Sequence, residues 1–171
     1  MNLQIRQLLK IRAVKITLEI FFILLIYMLL KTWMQRRMIE GPAPQIQGTL
    51  LNGQTFDMKQ LGGKPALIHF WASWCGICKL EQDSINAISK EHTVITIPMN
   101  SGDKQEVQEF MHDNNLSFPV INDPDGKLSA KYGVRAVPAS FILNPAGEIS
   151  FKEVGYTTNW GLRFRLWLAS D

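Results

Sequence analysis

The chain has 171 residues, of which 46% are hydrophobic and 19% are charged, so it can form one globular domain and a short extra segment but not two ordinary domains. Residues 1–45 carry seven Lys/Arg against two acids, whereas residues 46–171 carry eleven Lys/Arg against thirteen acids. Because the basic excess is confined to the N-terminal segment, the rest of the chain has no surplus of cations for phosphates, which argues against nucleic acid as a partner.

The N-terminal segment has the composition of a membrane anchor. Residues 20–30 are apolar without interruption, and a helix over residues 16–34 would reach about 28 Å, close to the thickness of one hydrocarbon core. Because no small-x-small cleavage site follows this run, we expect an uncleaved transmembrane helix rather than a signal peptide or a buried helix. Four Lys/Arg precede the run and three follow it, which favours a cytoplasmic location for residues 1–15.

The segment after the anchor is expected to be a linker over residues 35–45. Its sequence contains a short and stiff tether, made by Gly41, Pro42, Ala43 and Pro44. The folded domain is then expected over residues 46–171. It would begin with a β-hairpin whose turn is Asn52-Gly53, the pair that favours a type I′ turn.

The remaining elements are predicted from the periodicity of apolar residues. Residues 65–71 form a nearly continuous apolar run, which is typical of a strand buried on both faces. Further strands are predicted over residues 93–98, 139–143 and 148–154, and helices over residues 75–90, 104–115 and 159–169. This order predicts an α/β fold in which a mixed central sheet carries helices on both faces.

The two cysteines of the chain, Cys75 and Cys78, are three residues apart. A bridge between them closes a very small loop and adds little stability, so the pair is better interpreted as a reactive or metal-binding dithiol than as a structural disulfide. A thiolate at a helix N-terminus is stabilised and its pKa is lowered. Cys75 is therefore the expected nucleophile and Cys78 the resolving cysteine. The alternative is a site for a soft metal ion, although no second pair of ligands is evident.

Two ionisable residues near this dithiol have two interpretations each. Glu81 lies on the helical stripe of Ile77, Ile85 and Ile88, where it is either a buried proton carrier for Cys78 or a carboxylate that reaches water at the edge of the stripe. His69 lies in the predicted buried strand. It is either a group that exchanges protons with the dithiol or a neutral core histidine with one hydrogen bond.

Aromatic residues and a proline complete the set of candidates. Trp71 and Trp74 flank the dithiol, and either packs in the core or forms an apolar docking surface; core packing is more expected for Trp71. Pro138, after Val137, precedes a predicted strand, where a proline fits a sheet edge or a tight corner with a cis or trans peptide bond.

These motifs together resemble the thioredoxin superfamily. Residues 69–79 (HFWASWCGICK) resemble its active-site strand and helix, and residues 132–138 (YGVRAVP) resemble its second signature. The resemblance covers residues 46–171 and implies a thioredoxin-like fold and a protein-disulfide oxidoreductase. It also implies that Pro138 is a cis-proline facing the dithiol and that Val137 tunes the redox potential and contacts the substrate backbone.

Within that superfamily, the anchor, the extra hairpin and Glu81 resemble the membrane-tethered TlpA/ResA-like branch, and in particular the copper-sensitivity suppressor proteins of Gram-negative bacteria. This resemblance implies a single-pass protein of the bacterial inner membrane, with its catalytic domain in the periplasm and Glu81 as the active-site acid. The implied partners are protein thiols and disulfides and a membrane-embedded redox protein. No cofactor and no resident metal are expected.

The chain departs from this branch at three positions. Ile77 stands where proline is usual, His69 replaces an asparagine, and Ala139 follows Pro138 where a cytochrome-maturation reductase has glutamate. A peroxiredoxin is not indicated, because the sequence lacks a Pro-x-x-x-Thr-x-x-Cys stretch. Two other functions stay open at this stage, a Cu(I)-binding module that uses the same dithiol and a redox-inert adaptor.

Overall fold

The computed structural model describes residues 2–61 and 63–170, with the side chains of residues 12–59, 61 and 63–170. Residues 1, 62 and 171, which belong to the predicted N-terminal segment and domain, lie outside the described residues. The chain divides into two compact units, Met1–Arg36 and Arg37–Asp171. The first unit is a single long helix, α1 (Asn2–Gln35).

Helix α1 contains the predicted anchor. Its segment Arg12–Gln35 is long and apolar enough to cross a membrane, and this segment includes residues 16–34. A signal sequence near the N-terminus meets the same criteria of length and composition. These criteria therefore make the segment a candidate membrane span.

The strands of the second unit are, in chain order, β1 (Gly41–Pro42), β2 (Gln47–Thr49), β3 (Thr55–Asp57), β4 (Ala66–Trp71), β5 (Thr93–Pro98), β6 (Ala139–Leu143) and β7 (Glu148–Val154). A five-stranded sheet has the order β1-β7-β6-β4-β5, and β2 pairs with β3 in a separate hairpin. In the large sheet β4 and β5 run parallel, while the other neighbouring strands run antiparallel. The predicted mixed sheet is therefore confirmed, and the bounds of β5, β6 and β7 agree with the prediction.

The helices of the second unit are α2 (Gly76–Lys79), α3 (Gln82–Ile88), α4 (Lys104–Asp113), α5 (Lys127–Lys131) and α6 (Asn159–Leu168), and Met58–Leu61 forms a 3₁₀ turn. The prediction of one continuous helix over residues 75–90 is wrong. The chain turns more tightly between α2 and α3, where the N–H of Leu80 donates to the carbonyl of Ile77 and that of Glu81 to the carbonyl of Cys78. These bonds span three residues instead of four, so Cys78 and Glu81 face the core together and Ile77 faces solvent.

The two faces of the sheet are covered differently. On one face Leu67 and Trp71 of β4 pack with apolar residues of α3, α4 and α6. On the other face Ile68 and Phe70 pack with apolar residues of segment 38–46 of the same unit, with the hairpin and with Leu128 of α5. The prediction of helices on both faces thus holds for the second face only through the short helix α5.

The predicted linker over residues 35–45 is largely part of the domain. Met38 and Ala43 are buried, and β1 pairs with β7 through Gly41–Ile149 and Pro42–Glu148. Of the residues that suggested a tether, Gly41 and Pro42 form an edge strand, because proline is tolerated where one side of the strand has no neighbour.

The predicted hairpin is present, but its turn is not of type I′. That turn requires a positive φ at both central residues, whereas only Gly53 (φ 89°), and not Asn52, has one here. The N–H of Gly53 donates to the carbonyl of Leu50, which places Gly53 at the end of the turn.

Candidate active site at the Cys75–Cys78 dithiol

Cys75 lies at the N-terminus of α2, in the segment that follows the C-terminal end of β4. It is the N-cap residue of α2, and its Sγ accepts a hydrogen bond of 3.1 Å from the backbone N–H of Cys78. Cys75 and Cys78 form a disulfide. The structure therefore shows the oxidised form of the dithiol, with a backbone donor already directed at the sulfur of Cys75.

The two sulfurs differ in their access to solvent and in their neighbours. Cys75 is 7% exposed, whereas Cys78 is 1% exposed. The Sγ of Cys75 lies 3.6 Å from the carbonyl oxygen of Val137, and the peptide bond between Val137 and Pro138 is cis. The backbone just before Pro138, at the start of β6, therefore lies against the more accessible sulfur.

Glu81 is buried beside the dithiol, at 1% exposure. Its Oε1 accepts a hydrogen bond from the backbone N–H of Thr157, while no partner for Oε2 is present among the described residues. Burial raises the pKa of Glu81 to about 7, although the Thr157 hydrogen bond acts in the opposite direction. Of the two interpretations of Glu81, the structure supports the buried carboxyl and not the solvated one.

His69 lies in the middle of β4, on the same face as Leu67 and Trp71, and is 2% exposed. Its Nδ1 is 3.0 Å from the hydroxyl of Ser140 on β6. Burial lowers the pKa of His69 to about 3, so the ring is neutral at physiological pH. These features match a neutral core histidine with one hydrogen bond.

Trp71 and Trp74 have the different environments that the sequence suggested. Trp71 is buried against Phe110 and Phe118, whereas Trp74 is 62% exposed and its Nε1 donates to the carbonyl of Asn100 over 3.0 Å. Trp74 therefore forms an apolar surface next to Cys75, and its indole ring is held in place by a backbone acceptor.

The surface around Cys75 is apolar on more than one side. Gly76 is exposed, and a Cβ added there would have no neighbour within 4 Å. Three larger side chains are also more than half exposed. Ile77 and Leu80 follow Cys75 on the chain, and Tyr156 precedes Thr157, which bonds Glu81. Leu80 and Tyr156 were missed from the sequence.

Sequence reasoning also missed three residues that hold the site in place. They are Thr157, which donates to Glu81, Ser140, which bonds His69, and Asn100, which accepts from Trp74. Each lies between 26 and 76 positions from its partner. Because these contacts are made by backbone groups or a common hydroxyl, no local pattern in the sequence marks them.

Comparisons with known proteins find a family, and relatives named as thioredoxin-like and thiol–disulfide interchange proteins. The AhpC/TSA family model matches residues 39–152. A thioredoxin-like protein of Haemophilus influenzae is 28% identical over 92% of this chain and 95% of its own length. The thiol:disulfide interchange protein DsbE of Xylella fastidiosa is 29% identical over 80% of this chain and 73% of its own length.

A solved structure of a disulfide oxidoreductase is also similar to this chain. The structure of a secreted disulfide oxidoreductase from Mycobacterium tuberculosis is 31% identical and superposes with a TM-score of 0.62. It covers 72% of this chain and 96% of that one.

Proposed function

The chain belongs to the AhpC/TSA family, and we propose that it is a membrane-tethered enzyme that reduces or exchanges protein disulfides outside the cytoplasmic membrane. It is a thiol–disulfide oxidoreductase of the thioredoxin superfamily, with Cys75 and Cys78 as its redox pair. The observation that carries the proposal is the unequal placement of the two sulfurs. Cys75 is the accessible one, at a helix N-cap and 3.6 Å from the Val137 carbonyl.

The reaction begins from the reduced dithiol. The Cys75 thiolate, stabilised by the N–H of Cys78, attacks one sulfur of a substrate disulfide, and the other substrate sulfur leaves as a thiolate that takes a proton from solvent. Cys78 then loses its proton and attacks Cys75, which releases the second substrate sulfur as a thiolate. Two electrons have passed to the substrate, and the enzyme is left with the Cys75–Cys78 disulfide.

We assign to Glu81 the role of accepting the proton that Cys78 loses. It is buried three positions from Cys78, and its backbone N–H bonds the Cys78 carbonyl. A carboxyl with a pKa of about 7 accepts and returns a proton near neutral pH. His69 does not suit this role, because its low pKa and its bond to Ser140 keep it neutral. We assign His69 to positioning the sheet beneath the site.

The substrate is expected to bind across the apolar surface beside Cys75. The N–H and carbonyl groups of an extended substrate segment can pair with the backbone at Val137, next to Pro138. Trp74, Gly76 and Ile77 would contact the substrate side chains, because they are exposed around the same sulfur.

The cellular part of the proposal rests on α1. A span over residues 16–34 with residues 1–15 in the cytoplasm would place the domain in the periplasm of a bacterium, in single-pass topology at the inner membrane. The dithiol is consumed in each turnover, so it needs an electron source. We propose a membrane-embedded redox protein for that role.

The Cu(I)-binding alternative gains no observation in its favour. It needs only the two thiolates of Cys75 and Cys78, which are joined as a disulfide in this structure. The likeness to copper-sensitivity suppressor proteins stays a prediction from the sequence.

Trapping variants test the proposed reaction. Cys78→Ala should accumulate a mixed disulfide with an oxidised protein substrate, because Cys75 attacks but no thiol resolves the product. Cys75→Ala should form none. Equal trapping by both variants would show that the roles are assigned wrongly, and disulfide exchange by Cys75→Ala would refute the mechanism.

A further inference from the structure

Helix α6 is apolar on its outer side as well as on its inner side. Leu162, Leu166 and Ala169 are buried against the domain. The four exposed positions within α6 are also apolar, and they form what we call the α6 aromatic face: Trp160, Phe164, Trp167 and Leu168. A helix that is apolar all round is normally covered on all sides, so this face is expected to have an occupant.

The α6 aromatic face has the spacing of a contact between paired helices. Its three aromatic residues stand at positions 160, 164 and 167, so they follow one another by four and by three residues. Apolar residues line the seam of paired helices with this alternation. Phe164 and Trp167 also stack, with their ring centroids 5.9 Å apart. The stacking holds both rings in place before any contact forms, which lowers the entropy lost on association.

The shape of this face favours a protein occupant over a small molecule. Small-molecule sites are concave and enclose most of their ligand, whereas the outer side of a helix is convex. An apolar helix face is covered by another helix, which packs its ridges into the grooves, or by a groove of a protein. A second copy of the chain supplies a helix with the same apolar surface and the same spacing.

The charges of α6 are compatible with contact between two copies. The sequence of the helix contains two charged residues, Arg163 and Arg165. Arg163 donates two hydrogen bonds to the carboxylate of Glu91, at 2.6 and 3.0 Å, and Arg165 is bonded to Glu153 at 2.8 Å. Because both arginines are paired with acids of their own chain, two α6 helices meet without the repulsion that unpaired like charges would cause.

The size of the face also fits a dimer. Trp160 is 83% exposed, Phe164 58% and Trp167 65%. With about 250 Å² for a tryptophan and about 200 Å² for a phenylalanine, two copies would bury up to about 1,000 Å² of aromatic surface. Since roughly three fifths of an interface is apolar, the whole contact with its polar rim would bury about 1,600 Å², the standard size of a specific interface.

We propose that the α6 aromatic face is the interface of a homodimer, in which α6 packs on α6 of a second copy. In a twofold dimer the same patch of both subunits meets. Phe164 lies in the middle of the face, four residues from Trp160 and four from Leu168. A twofold axis centred on the face therefore brings Phe164 against its counterpart in the second copy, whether the two helices run parallel or antiparallel.

The test is the mass of the full chain by sedimentation equilibrium, in a detergent whose density the solvent matches. The chain is kept oxidised, so that no disulfide joins two copies. We expect twice the 19.5 kDa of one chain. Phe164→Glu and Phe164→Lys should each give the mass of one chain, because like charges then meet at the twofold axis. An equimolar mixture of the two variants should recover the doubled mass, because opposite charges meet.

Recovery in the mixture also shows that both variants fold. Leu80→Glu is the matched control, because Leu80 is an exposed apolar residue outside α6, and it should leave the doubled mass unchanged. The proposal is overturned if the parent chain has the mass of one copy, or if the dimer is lost in Leu80→Glu.

Two further results would also overturn the proposal. A dimer that persists in both Phe164 variants would show that the copies meet elsewhere, for example through α1. A mixture of the two variants that stays monomeric would show that Phe164 does not lie at the twofold axis. The dimer does not rest on the proposed redox function, because the mass is measured without turnover.

Discussion

Glu81 accepts a hydrogen bond from the backbone N–H of Thr157, the residue that precedes the N-cap of α6, Thr158. The turn between α2 and α3 and the start of α6 therefore meet at one buried carboxyl group. Among the described residues its second oxygen, Oε2, has no hydrogen-bond partner. With the proton-transfer role that we propose for Glu81, this group would link the redox chemistry of the site to the stability of the fold.

The raised pKa of Glu81 makes stability depend on pH. Its pKa is about 7 in the folded protein against an ordinary value of 4.5, so the proton stabilises the folded state at low pH and this contribution is lost as the pH rises through 7. Glu81→Gln keeps an acceptor for Thr157 and carries no charge. As the pH rises from 5 to 8, the free energy of unfolding of Glu81→Gln should therefore increase relative to that of the parent by up to about 3 kcal/mol.

Denaturant unfolding of the oxidised full chain in mild detergent measures this difference across the pH range. Glu109→Gln is the control, because Glu109 is an exposed carboxylate of α4 and the same substitution there changes no buried group. A Glu81→Gln profile parallel to that of the parent would contradict a buried carboxyl.

His69 should give the opposite dependence. Its pKa is lowered from 6.5 to about 3 by burial, so the unfolded chain binds more protons between these values and stability falls as the pH falls. His69→Asn, which retains a polar partner for Ser140, should lose less stability than the parent on acidification from pH 6.5 to 4. If both lose the same amount in the same unfolding measurement, His69 is not buried as a neutral base.

Trp74 should matter more for protein substrates than for small ones. Its exposed indole lies beside Cys75 and is held by the Asn100 carbonyl. Losing a contact of about 1.4 kcal/mol with a docked protein would lower kcat/KM by about tenfold, so we expect Trp74→Ala to have this effect with a protein disulfide and a smaller one with a small aromatic disulfide. Trp160→Ala removes an exposed tryptophan from α6 and should not distinguish the two substrates in detergent.

Ile77 lies in the first turn of α2, where a backbone N–H has no partner within the helix. Ile77 stands two positions after the N-cap residue Cys75, and an N-cap side chain accepts from the N–H at this position or the next. Ile77→Pro removes this N–H. Because the reduced form loses a stabilising donor, the reduction potential should become more negative, by about 20 mV for a bond of about 1 kcal/mol. Equilibration with glutathione measures the shift. Ile77→Val keeps the N–H, and a shift as large in that variant would contradict the explanation.

Four strands of the large sheet could be predicted because the information is local. Apolar runs bounded by turn residues mark β4, β5, β6 and β7. The two-residue strand β1 could not be predicted in this way, since it exists only because β7 offers it an unpaired edge.

The candidate site was predicted in part for the same reason. Cys75 and Cys78 are three residues apart on the chain, and this spacing is informative. The tight turn that separates Ile77 from Glu81 was not predicted, because a regular helical stripe and a broken one have the same apolar pattern. Which face Glu81 occupies depends on Thr157, 76 residues away.

The measurement that tests the central claim most directly is catalysed reduction of a protein disulfide by the full chain in detergent, with insulin as substrate and dithiothreitol as the source of electrons. We predict that the chain reduces insulin faster than dithiothreitol alone and that Cys75→Ala abolishes the acceleration. A chain that gives no acceleration over dithiothreitol, or a Cys75→Ala variant that retains it, would contradict a dithiol oxidoreductase acting through Cys75.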